Sequence, residues 1–175
     1  KTVMLIGGGV QEVRAVEFAQ RLGYRVVVTD RSADAPCVAV ADEAFVVDGR
    51  DTEQLVEIGR DLAARDRLHG VFTLTELVES VAAVTDACGF PGASVESAVI
   101  CQDKGLAKKH WLEASVSTPD GGVVSSLDEA VQVFERLGRP SIIKPVEGFG
   151  AIGVRAVDDR ADLDDYFSAI QGGGR

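Results

Sequence analysis

Over the first hundred residues, short apolar runs alternate with segments of helical periodicity, and this alternation limits the fold more than any other feature. Val3–Ile6 and Val26–Val28 are continuous apolar runs of strand length, and the segment between them carries apolar residues at helical spacing. Strands that are apolar on both faces are typical of parallel sheets covered by helices. The same pattern predicts further strands over 45–47 and 71–74, with helices from 52 to 62 and from 75 to 88.

After Gly92 the pattern changes to a smaller α+β arrangement. It predicts one or two connected helices over 94–112, a short strand at Val123-Val124 and a helix from Ser126 to Leu137. Strands over 141–145 and 154–157 then flank a glycine-rich turn, and a last helix covers 160–170. We therefore divide the chain into a first domain over 1–95 and a second over 96–175.

Composition narrows the classes of function. The chain has 28 acidic and 18 basic residues and a formal net charge of −10, which disfavours binding to nucleic acid or to an anionic membrane. It contains three cysteines and two histidines, none at the spacing of a metal site. The absence of a recognisable leader or a long apolar run leads us to expect a cytoplasmic protein.

The glycine run Gly7-Gly8-Gly9 follows the first strand and precedes a helix, where backbone N–H groups can hold an anion. Three interpretations remain open. The run is a plain tight turn, or an NAD site with Asp30 as the ribose ligand, or a turn at which Glu12 contacts a polar small molecule. The G-x-G-x-x-G fingerprint of NAD-binding proteins, read from Gly7, is incomplete, because Glu12 occupies the position of the third glycine.

A second glycine-rich segment carries a more specific signal. Lys144-Pro145 ends a predicted strand, and glycines follow at 148, 150 and 153. Such a loop can bring its backbone close to phosphate, and a lysine at its base supplies a compact positive charge. Lys104, which starts a helix after Asp103, is the second lysine that we single out. A solvent-exposed hairpin turn is the alternative interpretation, and no Walker A sequence is present.

These elements occur in an order that extends over nearly the whole chain. They are Gly7-Gly8-Gly9, Thr75-Glu76, Phe90-Pro91-Gly92, Asp103-Lys104, Thr118-Pro119, Ile143-Lys144-Pro145 and Gly148-Phe149-Gly150-Ala151-Ile152-Gly153-Val154. In this order the chain resembles the N-terminal half of ATP-grasp carboxylate–amine ligases. The resemblance implies an α/β fold, with a Rossmann-like pre-ATP-grasp domain followed by a small α+β ATP-grasp subdomain, and without the C-terminal subdomain.

The resemblance also implies roles for individual residues. Lys104 and Lys144 match the family lysines that contact the ATP phosphates, and the segment Gly148, Phe149, Gly150, Ala151 and Gly153 matches the loop that folds over them. Gly9, Glu12 and Glu76 match, more weakly, positions that face the acceptor substrate. One departure concerns Ala151, because the family often has a serine or threonine there.

The reaction implied by the resemblance uses ATP to convert a carboxylate into an acyl phosphate, from which an amine takes the acyl group. The L-amino-acid ligase branch is our preferred assignment, with amino acids as substrates. We expect the catalytic residues and the Mg²⁺ ligands outside this chain, and we expect the chain alone to be inactive. A non-catalytic nucleotide-binding or regulatory module completed by a partner chain remains an alternative, as does an NAD-binding Rossmann protein, and a homodimer is left open.

Overall fold

The computed structural model describes residues 1–65, 67–138 and 140–171, and the chain divides into two units. Unit 1 covers Lys1–Val99 and unit 2 covers Ile100–Arg175.

Unit 1 is built on a four-stranded parallel sheet, as predicted. The strands are β1 (Thr2–Ile6), β2 (Arg25–Asp30), β3 (Glu43–Val46) and β4 (Val71–Phe72), in the order β3-β2-β1-β4. Met4 of β1 pairs with Val27 on one side and with Val71 on the other. Because the sheet is parallel, all four strands end at the same edge, and the loops that follow them meet there.

Helices cover both faces of this sheet. They are α1 (Val13–Arg21), α2 (Thr52–Ala64) and α3 (Val78–Ala87). Met4 and Ile6 pack in a buried cluster with Leu55 of α2 and Val84 of α3. Leu5 packs in a separate cluster that includes Val16 of α1. Successive strand residues thus point to opposite apolar layers, which explains why β1 is a continuous apolar run.

Helix α3 begins three residues later than predicted. The amide of Thr75 donates to the Thr73 hydroxyl at 3.2 Å, and the amide of Leu77 donates to the Thr75 hydroxyl at 3.4 Å. These local hydrogen bonds replace the first helical turn, as threonine side chains often do. The polar segment 73–77 therefore lies at the edge of the sheet as a loop.

The helical segment after Gly92 is two helices, α4 (Val95–Gln102) and α5 (Lys104–Glu113). Asp103 separates them, because its side chain accepts hydrogen bonds from the amides of Gly105 at 2.7 Å and Leu106 at 2.8 Å and so caps α5. The division between the two units falls inside α4.

Unit 2 continues with α6 (Leu127–Leu137), β5 (Ser141–Ile143), β6 (Arg155–Val157) and α7 (Arg160–Gln171). The two strands pair antiparallel, with Ile142 opposite Ala156. Its small core contains Ala130, Phe134, Val157 and Leu163. None of the helices that the structure describes is long and apolar enough to cross a membrane.

The predicted strand at Val123-Val124 is wrong, since these residues are not in a strand. Val124 packs against the core of unit 2 instead. Val123 lies close to Gly105: a β-carbon built on Gly105 would be 2.6 Å from Cγ2 of Val123. Val124 therefore contributes to packing and not to a strand, while Val123 stays 60% exposed.

Candidate functional site

The glycine loop of unit 2 is the segment 144–154 that joins β5 to β6. Gly148, Gly150 and Gly153 have φ values of 108°, 66° and 72°. Glycine adopts this left-handed region without a steric cost, whereas other residues do so with strain. Within the loop, the amide of Ile152 donates to the Phe149 carbonyl at 3.3 Å. The spacing of the glycines thus follows from the conformation of the loop.

Two positions in this loop are under particular steric constraint. A β-carbon on Gly153 would be 2.8 Å from Pro145 Cγ, which is closer than real side chains approach. Ala151 has a φ of 59°, a conformation that costs a non-glycine residue about 1–2 kcal/mol. The backbone is therefore held in a shape that its own residues do not all favour, as is common at ligand-binding loops.

Lys104 holds the start of the glycine loop. Its ammonium donates to the carbonyl of Gly148 at 2.8 Å and to that of Val146 at 3.2 Å. Its backbone amide also donates to the Val146 carbonyl, at 3.1 Å. Because Asp103 caps α5, the first residue of that helix is fixed beside the loop. Two of the three ammonium N–H groups are thus engaged by loop carbonyls.

Both lysines singled out from the sequence border one cavity of about 200 Å³ in unit 2. The cavity is lined by Lys104, Lys144, Pro145, Gly148, Phe149, Gly150, Ala151, Ile152 and Val154. Six of the seven residues predicted to bind ATP therefore lie around the same space. The seventh, Gly153, belongs to the same loop and lies beside Pro145. Phe149 is 58% exposed, so the rim has an apolar surface as well as two positive charges.

This combination of groups suits a polyphosphate with a planar base. Lysine ammonium groups and glycine amides are the usual protein donors to phosphate oxygens. An exposed aromatic ring beside them offers a surface for stacking. Of the described residues, no three or more His, Cys, Asp or Glu side chains are grouped so that they could hold a metal ion.

In unit 1 the structure brings Gly9 and Glu12 into direct contact at the end of β1. A β-carbon on Gly9 would be 2.7 Å from Glu12 Oε2. Glu12 occupies the N-cap position of α1 and is only 6% exposed. Glu12 thus faces the glycine turn directly.

Glu76 lies in the loop after β4, at the same edge of the sheet. Its carboxylate is 3.5 Å from the guanidinium of Arg50, which lies in the loop after β3. The Thr73 hydroxyl donates to the Ile6 carbonyl at 2.8 Å and so ties the loop after β4 to the end of β1. The three predicted substrate residues therefore share one edge of unit 1, where ligands of parallel sheets usually bind.

Asp30, the ribose ligand of the NAD alternative, is engaged within the turn. Its carboxylate accepts hydrogen bonds from the amides of Gly8 at 2.8 Å and Ser32 at 2.9 Å. Both of its oxygens thus hold the backbone in place, which disfavours a role in binding a ribose.

Sequence reasoning did not assign Cys37 to this edge. Its thiol donates to the Gly9 carbonyl at 3.3 Å. Burial, followed by the charges of Glu12 and Asp30, raises the pKa of Cys37 to about 11. No motif or spacing marks this residue in the sequence, because only the fold brings the loop after β2 against the glycine turn.

Two family models match consecutive parts of the chain. The model described as "ATP-grasp N-terminal domain" matches residues 16–92. The model described as "Carbamoyl-phosphate synthase L chain, ATP binding domain" matches residues 103–172, which include both lysines and the glycine loop. The chain belongs to the ATP-grasp superfamily.

A curated relative from Synechococcus sp. (strain CC9605), named formate-dependent phosphoribosylglycinamide formyltransferase, is 32% identical over 180 residues. The alignment covers 100% of this chain and 44% of the relative, so the chain spans less than half of that protein.

Two solved structures share the fold of this chain. The N5-carboxyaminoimidazole ribonucleotide synthetase of Thermotoga maritima has a TM-score of 0.70 at 23% identity, covering 94% of this chain and 43% of its own. The L-amino acid ligase of Bacillus licheniformis has a TM-score of 0.71 at 22% identity, covering 97% of this chain and 42% of its own. At these identities, the similarity confirms the α/β architecture.

Proposed function

We propose that this chain is the N-terminal part of an ATP-dependent carboxylate–amine ligase. The observation that carries the proposal is the convergence of Lys104, Lys144 and the glycine loop on one cavity within the part of the chain that matches the ATP-binding family model. A phosphate-binding surface of this kind supports phosphoryl transfer mainly by holding the reacting groups and neutralising their charge.

In this proposal, Lys144 contributes a mobile positive charge and the glycine loop contributes backbone N–H groups to the ATP phosphates. Lys104 has a second role, because its ammonium already holds the loop carbonyls. When a phosphate enters, the same ammonium can exchange a carbonyl for a phosphate oxygen. Closing of the loop would then be coupled to binding, and a closed loop keeps water away from a reactive acyl phosphate.

The proposed reaction has two steps. A carboxylate oxygen of the substrate attacks the γ-phosphorus of ATP, the bond from that phosphorus to the bridging oxygen breaks, and ADP leaves. The amine nitrogen then attacks the acyl carbon, the bond to the phosphate oxygen breaks, and inorganic phosphate and the amine proton are released. Mg²⁺ belongs to this proposal as an ion held by residues outside this chain, and so do the catalytic residues.

Two substrate pairs agree with the proposal. The name of the Synechococcus relative supports formate as the carboxylate and phosphoribosylglycinamide, a phosphorylated amine, as the acceptor. Amino acids as carboxylate and amine form the second pair. The two pairs differ in whether the acceptor carries a phosphate group.

Positional isotope exchange tests the first step. ATP carrying ¹⁸O in the β,γ-bridge is incubated with the complete ligase that carries this chain, with the carboxylate and without the amine. The proposal predicts that the label scrambles into the nonbridging β-positions only when the carboxylate is present. Product formation with both substrates but no carboxylate-dependent scrambling, under conditions that allow ADP to rotate, would contradict the acyl phosphate.

A non-catalytic nucleotide-binding module completed by a partner chain is a second candidate. It uses the same cavity, bordered by Lys104 and Lys144, to bind the nucleotide. Calorimetric titration of the 175-residue chain with Mg-ATP separates the two. The ligase proposal predicts weak binding and no hydrolysis by the chain alone, whereas micromolar binding without a partner would favour the module.

A further inference from the structure

Lys108 lies one turn after Lys104 on α5 and holds a different segment of unit 2. This segment, residues 119–121, is called the linker turn below. The ammonium of Lys108 donates a hydrogen bond to the Pro119 carbonyl. A β-carbon built on Gly121 would be 3.9 Å from Lys108 Cε, so the stem of the lysine also lies along the linker turn. Residues four apart share one side of a helix, so both lysines leave α5 on the same side.

The linker turn is attached to α6 through Asp120. One oxygen of this carboxylate accepts the Gly121 amide at 2.7 Å, and the other pairs with the guanidinium of Arg136 at 2.9 Å. The Gly121 amide first, then Arg136 and finally the charge of Lys108 lower the pKa of Asp120. Arg136 lies in the last turn of α6, which contributes Ala130 to the buried core of unit 2. The linker turn therefore joins Lys108 to a helix that is anchored in this core.

Helix α5 depends on such contacts for its position. Among the described residues, the apolar cluster of unit 2 contains members of α6, α7, β5 and β6 but none of α5. Helix α5 meets the rest of unit 2 through Lys104, through Lys108 and through the packing of Val123 against Gly105. One turn of helix spans only about 5.4 Å and is rigid over that length. A displacement of α5 at Lys108 therefore also displaces Lys104.

We propose that Lys108 is a positioning residue. By holding α5 against the linker turn, it keeps Lys104 within reach of the carbonyls of Val146 and Gly148 and so maintains the glycine loop in the conformation that borders the cavity. This coupling stands on the geometry of unit 2 alone. Its consequence for ATP rests on the proposed function, because only a loop that binds phosphate loses affinity for the nucleotide when it opens.

Amide hydrogen exchange in a double-mutant cycle tests the coupling. The four proteins are the unmodified chain, Lys108→Met, Lys104→Met and the variant that carries both changes. The amides of Ile152 and Val154 form hydrogen bonds inside the loop and report its opening. Lys108→Met should accelerate their exchange by about three- to tenfold, a modest factor because the contact to Pro119 is exposed. In the Lys104→Met background, the same change should add no acceleration, because Lys108 acts through Lys104.

Lys109→Met is the matched control for this cycle. Lys109 is the next residue of the same helix and is exposed, whereas Lys108 is half-buried. The control should leave the loop exchange unchanged, and the amides of α6 should keep their rates in every variant. Loop exchange that Lys108→Met does not alter, or accelerates equally in both backgrounds, would overturn the proposal. Equal acceleration of the α6 amides would also overturn it, since Lys108 would then stabilise unit 2 as a whole.

Steady-state kinetics separate this coupling from the ligase proposal. In the complete ligase that carries this chain, Lys108→Met should raise KM for ATP by the same factor and leave kcat within about twofold, because binding restores the loop before the chemical step. Accelerated loop exchange with an unchanged KM would leave the coupling standing and contradict phosphate binding by the loop. Carboxylate-dependent isotope exchange in a protein whose loop does not respond to Lys108→Met would refute the coupling and leave the ligase role standing.

Discussion

Replacing Lys104 by methionine should release the glycine loop while leaving α5 in place. Methionine keeps the unbranched apolar length of the side chain and removes the ammonium. The variant loses the contacts to Gly148 at 2.8 Å and to Val146 at 3.2 Å, while the backbone bond from residue 104 to Val146 remains.

The size of the effect follows from these two contacts. A hydrogen bond from a charged group contributes about 1.5–3 kcal/mol when it is well shielded. The contact to Gly148 is exposed and the one to Val146 is partly buried, so water replaces much of what is lost. We expect the closed conformation of the loop to be destabilised by about 1–3 kcal/mol in total. This raises the equilibrium constant for loop opening by about 5- to 150-fold.

Hydrogen exchange of individual amides measures this equilibrium. The amides of Ile152 and Val154 form hydrogen bonds inside the loop, at 3.3 and 3.2 Å, and report its opening. Their exchange should accelerate by the stated factor in Lys104→Met, while amides of α6 and α7 keep their rates. Lys109→Met is the control, because Lys109 is exposed and, within the part of the chain that the structure describes, its ammonium pairs only with Glu113, at 3.9 Å. Equal rates at Ile152 and Val154 in both variants would refute the role of Lys104 in holding the loop.

Two further predictions concern backbone strain and pH. Gly153→Ala should lower the free energy of unfolding of unit 2 by more than Gly150→Ala does. The positive φ costs each variant about 1–2 kcal/mol, but only Gly153→Ala places a β-carbon against Pro145. Urea denaturation of the two variants measures the difference, and equal losses would contradict this prediction. Cys37 should resist thiol labelling at pH 8 while the exposed Cys101 reacts. Because unfolding lowers the Cys37 pKa from about 11 toward its ordinary value, the unfolded state releases this proton first. Stability should therefore fall as the pH rises from about 9 to 11, an effect that Cys37→Ala should remove.

The parallel sheet of unit 1 could be predicted because its strands are buried on both faces. Runs such as Val26–Val28 then contain no polar residue, and the start of α2 was visible from Asp51, whose side chain accepts the Gln54 amide. The start of α3 and the segment Val123-Val124 could not be predicted in the same way. At both places, single side-chain contacts decide the local structure, and these contacts leave no periodic pattern.

The lysines and glycines of the candidate site could be singled out from the sequence because phosphate binding needs those residue types close to a turn. The sequence did not indicate that Lys104 binds the loop carbonyls, since this depends on where α5 places its first residue. The burial of Glu12 was equally hidden. The sequence shows an acid at the position of a third glycine, but only the structure shows that the acid lies against Gly9.

We propose above that the loop cavity of unit 2 binds the phosphates of ATP for a ligase reaction. The most direct test is ADP release by the complete ligase that carries this chain, measured with both substrates, for the unmodified protein, Lys144→Ala and the surface control Lys109→Ala. We expect Lys144→Ala to lower kcat/KM for ATP by more than about tenfold, a loss of more than about 1.4 kcal/mol, while Lys109→Ala has no effect. Unchanged kcat and KM in Lys144→Ala would contradict it.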